Sequence, residues 1–371
     1  MQTNSYRADV IGSMLRPRYL LEARERHAAG QMSDGEFKAI EDRAVDECVA
    51  VQERAGVDVI TDGEMRRNVF ASQLAQACDG FATIKNNEVD WFTLDGRVER
   101  SPVTVGLVSR LKRRRHLSSE EFSYLRGRTQ RPKKITLPSP TMYAYYWVPG
   151  LSDAVYPNPE AYMADVADIL RDEVSELVRL GAQYVQFDAP EFGMIIDPHQ
   201  QEWFLRKGFH PDRMLHEGIE IIDSIVAAFP HITFGLHICR GNDASRYMAS
   251  GDYQPIAAVA FKSRAQRLLL EYDDERSGGF EVLSQVPEQT TVVLGLLTTK
   301  SPRQETSSEL RARIREAARH IPLERLALSP QCGFASVAKG NNIPPSLQES
   351  KLRLVAEVAH DVWPIEIGAH G

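Results

Sequence analysis

What most constrains this chain is a series of eight short apolar runs, each ending in polar residues. They are ADVIGSML (8–15), VDVITDGE (57–64), KITLPSP (134–140) and AQYVQFDAPE (182–191). ITFGLHIC (232–239), RLLLEYDD (267–274), TVVLGLLTT (291–299) and RLALSPQC (325–332) complete the set. Runs this short, β-branched and nearly continuously apolar predict parallel strands buried on both faces. Amphipathic helical stretches lie between them. Residues 159–181 repeat apolar positions at three and four and stop at Gly181, a C-terminal cap. Residues 306–322 open with a Ser/Thr cluster ahead of Glu309, and 349–363 end the series in the same style. The alternation predicts an α/β fold, a (β/α)8 TIM barrel forming a single unit over residues 1–371. About seventy residues separate the second and third runs, which predicts an insertion over about 80–132, either a lid or substrate loop or plain decoration.

The formal net charge of −7 offers no general attraction for nucleic acid or a membrane surface. Its local exception, RLKRRRH at 110–116, has no interleaved aromatics and reads as a solvated helix face or loop. The four cysteines, Cys48, Cys78, Cys239 and Cys332, are too few and scattered for a disulfide framework. The first residues carry no signal pattern, and no apolar run reaches membrane-spanning length. The expectation is a cytoplasmic protein with free thiols.

In a barrel the strand ends build the site. There the sequence places Ser13, Asp62, Glu64, Ser139, Asp188, Glu191, His237, Cys239, Glu271, Asp273, Thr298, Thr299 and Cys332. On its own, His237-x-Cys239 reads as a satisfied core histidine beside a buried thiol. In a strand, however, residues two apart face the same side. Together with Glu271 and Cys332, this pair makes an N, S, O, S set of ligand types that suit zinc.

At these residues the chain resembles the catalytic barrel of the cobalamin-independent methionine synthase family. The motifs are IGSMLRP (11–17), TDGEMRRN (61–68), QFDAPE (186–191), HIC (237–239), Glu271 and SPQCGF (329–334), and the likeness spans nearly the whole chain. LEYDDERSGGFEVL and LALSPQCGFAS look most like the single-barrel members, whose relatives include epoxyalkane:coenzyme M transferases. The resemblance implies a zinc-dependent alkyl transfer to sulfur, with metal ligands His237, Cys239, Glu271 and Cys332. It implies that Glu271 is the ligand that yields to the incoming thiol, and that Glu271 and Asp188 are the catalytic carboxylates. Ser13, Glu64 and Asp188 would bind homocysteine, the carboxylates its ammonium and Ser13 its carboxylate.

Blander roles stand beside these. Ser13 could only satisfy backbone, and Glu64 and Asp188 could pair with Arg66 or Arg67. Asp273, Asp274, Glu275 and Arg276 read as a structural charge network, and Cys48 and Cys78 as packing thiols. The chain also departs from the long synthases, reading KSPR at 300–303 where they carry HSPR. Only Trp147 and Tyr143 stand as candidates for their pterin-stacking tryptophan. The expected partners are therefore homocysteine and a methyl donor that is a folate, a methylcorrinoid or another methyl compound. The alternative is an epoxyalkane:coenzyme M transferase, with Arg16, Arg66 and Arg67 meeting the sulfonate. A third possibility is a purely structural zinc.

Overall fold

The computed structural model describes residues 6–85 and 88–364. Among its described residues, the segment between the second and third runs holds four strands: β1 (Cys78–Thr83), β2 (Glu88–Phe92), β3 (Val98–Pro102) and β4 (Val105–Arg113). The last six runs supply β5 (Ile135–Pro138), β6 (Tyr184–Asp188), β7 (Thr233–Ile238), β8 (Arg267–Glu271), β9 (Thr291–Leu297) and β10 (Leu326–Pro330). These six lie side by side in chain order as one parallel sheet. Every residue of β5, β6, β8, β9 and β10 is buried, as the unbroken apolar runs require of a sheet covered on both faces.

The first two runs are not strands. Each meets the sheet at an isolated parallel bridge, Ala8 with Leu328 on β10 and Ile60 with Lys133 just before β5, and the Asp58 N–H donates to the Ala8 carbonyl at 2.9 Å between the two runs. The reason lies in their polar neighbours, whose side chains take backbone groups that a ladder would otherwise use. Asp9 Oδ1 accepts from the Val10 N–H at 2.8 Å, Lys134 donates to the Val10 carbonyl, and Gln186 Nε2 donates to the Ile11 carbonyl at 2.8 Å. In the second run Gln52 bonds both the N–H and the carbonyl of Thr61, at 3.0 and 2.8 Å. These side-chain bonds stand in for ladder bonds at Val10, Ile11 and Thr61, while the N–H groups of Asp9, Asp58 and Ile60 still donate to backbone carbonyls of the neighbouring segments.

The helices follow their sequence signals. Pro159–Arg179 is capped by Asn158, whose side chain accepts from the Ala161 N–H, and the chain leaves it through Gly181 at φ +95. Thr306 and Glu309 form a reciprocal capping box at the start of Ser307–Ala317. The last helix, Pro345–Val362, begins four residues earlier than its apolar pattern indicates. No described helix is long and apolar enough to cross a membrane.

In the insertion, β1 pairs with β4 and β2 with β3, both antiparallel. The basic run is accordingly not a helix face: residues 114–116 form a loop, and residues 110–113 before it lie on β4. Pairing with β1 fixes it as a strand while its side chains stay at the surface, Arg113 beside Asp172 and Arg114 beside Asp79. The insertion is tied to the loops after the sheet. Phe92 and Tyr247 exchange two backbone hydrogen bonds, at 2.7 and 2.9 Å, and Trp203 Nε1 donates to the Glu88 carbonyl at 2.8 Å. These ties carry the neighbouring Trp91 to the strand ends. Residues 1–5, 86–87 and 365–371, which the single-unit expectation also takes in, lie outside the described residues.

Candidate metal centre and its cavity

The parallel sheet delivers His237 at the end of β7, Cys239 just beyond it and Cys332 just beyond β10. Their donor atoms all lie within 4.8 Å of one another, and all three residues are buried. His237 Nδ1 stands 3.1 Å from the Leu269 carbonyl, which can only accept. Nδ1 therefore carries a proton, which leaves Nε2, buried beside the Cys332 sulfur, as the nitrogen that can face an ion. The two sulfurs are electrostatically unequal. The hydrogen bond from Cys239 holds the Cys332 thiol well below its usual range, while Cys239 is pushed far up by that same contact and by burial. An imidazole with a free nitrogen beside two sulfurs is a donor set that fits zinc.

Glu271 ends β8 but is not a member of that three-residue cluster. Its Oε2 accepts from the Arg240 N–H at 3.0 Å, and Oε1 stands 3.4 Å from both Lys300 Nζ and an Arg276 nitrogen. Burial alone would raise this carboxyl; Lys300, Arg276 and Arg240 more than offset it and hold it at about 2. Arg276 also pairs with Asp274 and stands 3.8 Å from Asp273, which makes the expected charge network of these three, with Glu275 exposed beside it.

A cavity of about 260 Å³ opens over the cluster. Of the strand-end residues, Ser13, Glu64, Asp188, His237, Cys239 and Cys332 line it; Asp62, Ser139, Glu191, Glu271, Asp273, Thr298 and Thr299 do not. Glu64 sits at φ +55, an uncommon backbone conformation for a residue with a side chain. Its Oε1 accepts from the Thr136 hydroxyl at 2.8 Å and stands 3.4 Å from Arg67, while Oε2 is buried without a partner. Asp188 accepts from Gln186 Nε2 at 2.6 Å, and burial pushes it up to about 7. Ser13 Oγ accepts from the Ala335 N–H at 3.4 Å.

Other expectations meet the geometry differently. Arg16 donates to the carbonyls of Met14, Ala335, Glu64 and Arg67, Arg66 pairs with Glu41 and Asp42, and Arg67 pairs with Glu121. None of the three lines the cavity. Trp147 and Tyr143 are buried in the core and do not line it either. The aromatic wall is instead Phe70, Trp91, Tyr145 and Tyr146, and Trp91 comes from the insertion. Cys48 and Cys78 are buried away from the cluster; burial raises both, Cys78 to about 11.

The sequence reading missed Asn242 as well as Trp91. Asn242 Nδ2 donates to the Gly333 carbonyl at 2.7 Å, and its Oδ1 is buried without a partner at the cavity. It lies three residues beyond Cys239, but nothing in the apolar pattern marks it. Trp91 has no local signal at all, because its place depends on how the insertion packs.

Residues 7–359 match the family model described as the catalytic domain of cobalamin-independent synthase. The chain is 33% identical over 362 residues to the uncharacterized protein YxjH of Bacillus subtilis, which covers 96% of this chain and 95% of that protein. It is 27% identical over 327 residues to the methionine synthase of Pyrococcus abyssi, which covers 88% of this chain and 85% of that one. A B12-independent methionine synthase from Shewanella, solved in complex with selenomethionine, shares the fold at a TM-score of 0.73 and 18% identity, covering 95% of this chain and 96% of that one. This chain belongs to the cobalamin-independent methionine synthase family, matching its catalytic domain.

Proposed function

We propose that the protein is a zinc-dependent methyltransferase that converts homocysteine to methionine. The observation that carries this reading is the meeting of His237, Cys239 and Cys332 within 4.8 Å in the wall of a cavity that also presents Ser13, Glu64 and Asp188. Those three ligands would hold zinc, and Glu271 would be the exchangeable fourth. When bound, zinc supplies a deprotonated, positioned thiol sulfur at neutral pH.

The chain's own residues do the rest. The unpartnered Glu64 Oε2 and Asn242 Oδ1 can take two N–H bonds of the homocysteine ammonium, with Asp188 adding charge. The Ser13 hydroxyl would donate to the substrate carboxylate. Asp188, held near 7, can also take up or release a proton around neutrality. The aromatic wall excludes water from the transfer. Among the described residues no lysine or arginine lines the cavity, so a glutamate tail would find no cation inside it. A donor that presents its methyl group without an anionic tail in the cavity fits better than a polyglutamylated folate.

The same reading takes residues 1–371 as one cytoplasmic (β/α)8 barrel, joined through the bridges at Ala8 and Ile60 and carrying an insertion at about 80–132. The coenzyme M alternative loses its support, since each proposed sulfonate-binding arginine is committed elsewhere. A structural zinc is disfavoured because all three ligands open on the cavity.

The test is zinc content and thermal stabilisation by homocysteine, in the wild type and in a Glu64→Ala, Asp188→Ala double variant. One zinc per chain with homocysteine stabilising only the wild type supports the proposal. No zinc, or equal stabilisation of both proteins, defeats it.

A further inference from the structure

Resting on the zinc reading above, we infer that Lys300 is a positioning residue, the seat onto which Glu271 withdraws when a thiol takes its place on the metal. Lys300 and Glu271 are both fully buried, and Nζ stands 3.4 Å from Oε1. Arg276 approaches the same oxygen at 3.4 Å, and the Arg240 N–H holds the other at 3.0 Å. Glu271 is therefore docked on cations while His237, Cys239 and Cys332 gather without it.

A buried carboxylate leaving a metal needs a compensating charge, or the departure is opposed by the cost of an uncompensated ion. Lys300 supplies that charge at a distance its four-carbon arm can hold. Its backbone favours the arrangement, because the Lys300 N–H is held by the Thr298 hydroxyl at 3.2 Å just beyond β9, whose Gly295 is in register with Glu271. An ammonium so engaged acts on substrate through Glu271. Lys300 itself does not line the cavity.

The experiment is homocysteine titration of the zinc-loaded full chain, followed by zinc K-edge X-ray absorption. Wild type, Lys300→Met, Lys300→Arg, Glu271→Gln and the Lys300→Met, Glu271→Gln double variant are compared. In Lys300→Met, the exchange of an oxygen for a sulfur ligand should need about tenfold more homocysteine. Lys300→Arg should stay within about threefold of wild type, because a guanidinium also seats a carboxylate. In the Glu271→Gln background, loss of Lys300 should change nothing, since no charge remains to be seated. Lys300→Gln carries the same test if Lys300→Met fails to fold.

Equal homocysteine affinity in Lys300→Met and wild type overturns the inference. So does a loss that persists in the Glu271→Gln background, which would place Lys300 directly on the substrate. A wild type that binds no zinc, or gains no sulfur on adding homocysteine, instead defeats the proposed function on which this inference rests.

Discussion

Gly333 lies so close to Ser13 that a Cβ added to it would stand 2.0 Å from the Ser13 hydroxyl oxygen. The residue after Cys332 must therefore be glycine for Ser13 to hold its place, which couples the loop that carries Cys332 to Ser13 in the cavity wall. Gly333→Ala should raise the KM for homocysteine about tenfold, a loss of roughly 1.4 kcal/mol of binding, with zinc content unchanged. Steady-state kinetics and metal analysis check this. Gly127→Ala is the control, because its added Cβ meets nothing closer than 3.6 Å.

Cys332→Ser and Cys239→Ser should each weaken zinc binding by about a hundredfold or more, as removal of a primary ligand exceeds the 10- to 100-fold cost of losing an outer partner. Cys48→Ala should leave one zinc per chain, because Cys48 is buried away from the cluster. Metal analysis after dialysis against a chelator distinguishes them.

The two tryptophans separate donor binding from folding. Trp91 lines the cavity, whereas Trp147 is 1% exposed and packs between Tyr162 and Phe209. Trp147→Ala should cost about 3–5 kcal/mol of stability. Trp91→Ala should lower turnover with the methyl donor by about tenfold, the worth of one aromatic contact, at nearly unchanged Tm. Thermal melts and kcat/KM for the donor decide the matter; a Trp91→Ala protein with normal turnover removes the insertion from the site.

Glu191 supplies a pH prediction. Burial pushes its carboxyl up to about 7, against the opposing hydroxyls of Ser139 and Thr141. A folded-state value raised above the unfolded one means that the native protein binds this proton more tightly. The stabilisation is thus complete below the unfolded value of 4.5 and is lost as pH rises towards 7. Glu191→Gln should flatten the decline in stability between pH 5 and 7 by up to about 1.4 kcal/mol per pH unit. Denaturant melts at several pH values measure it, and an unchanged slope would show that Glu191 does not titrate there.

Much of the scaffold was legible in the chain. The last six apolar runs became adjacent parallel strands because their continuous apolar character allows burial on both faces. Thr306 with Glu309, and Asn158 before Pro159, marked helix starts through bonds made within one turn. The first two runs pair only at single bridges because side chains of Asp9, Lys134, Gln52 and Gln186 take some of their backbone groups, a matter of distant polar neighbours that the apolar pattern does not show. The basic stretch deceived because its pairing with β1 is set by a segment some thirty residues away.

By itself, the sequence determined the last six strands, the capped helices and that His237 and Cys239 stand two apart at a strand end, since period and capping are local properties of the chain. Only the tertiary structure decided that Cys332 joins them within 4.8 Å, that Trp91 reaches the cavity, and that Glu271 rests on Lys300. Those are distances between residues far apart in sequence, set by strand register and packing, and no local pattern encodes them.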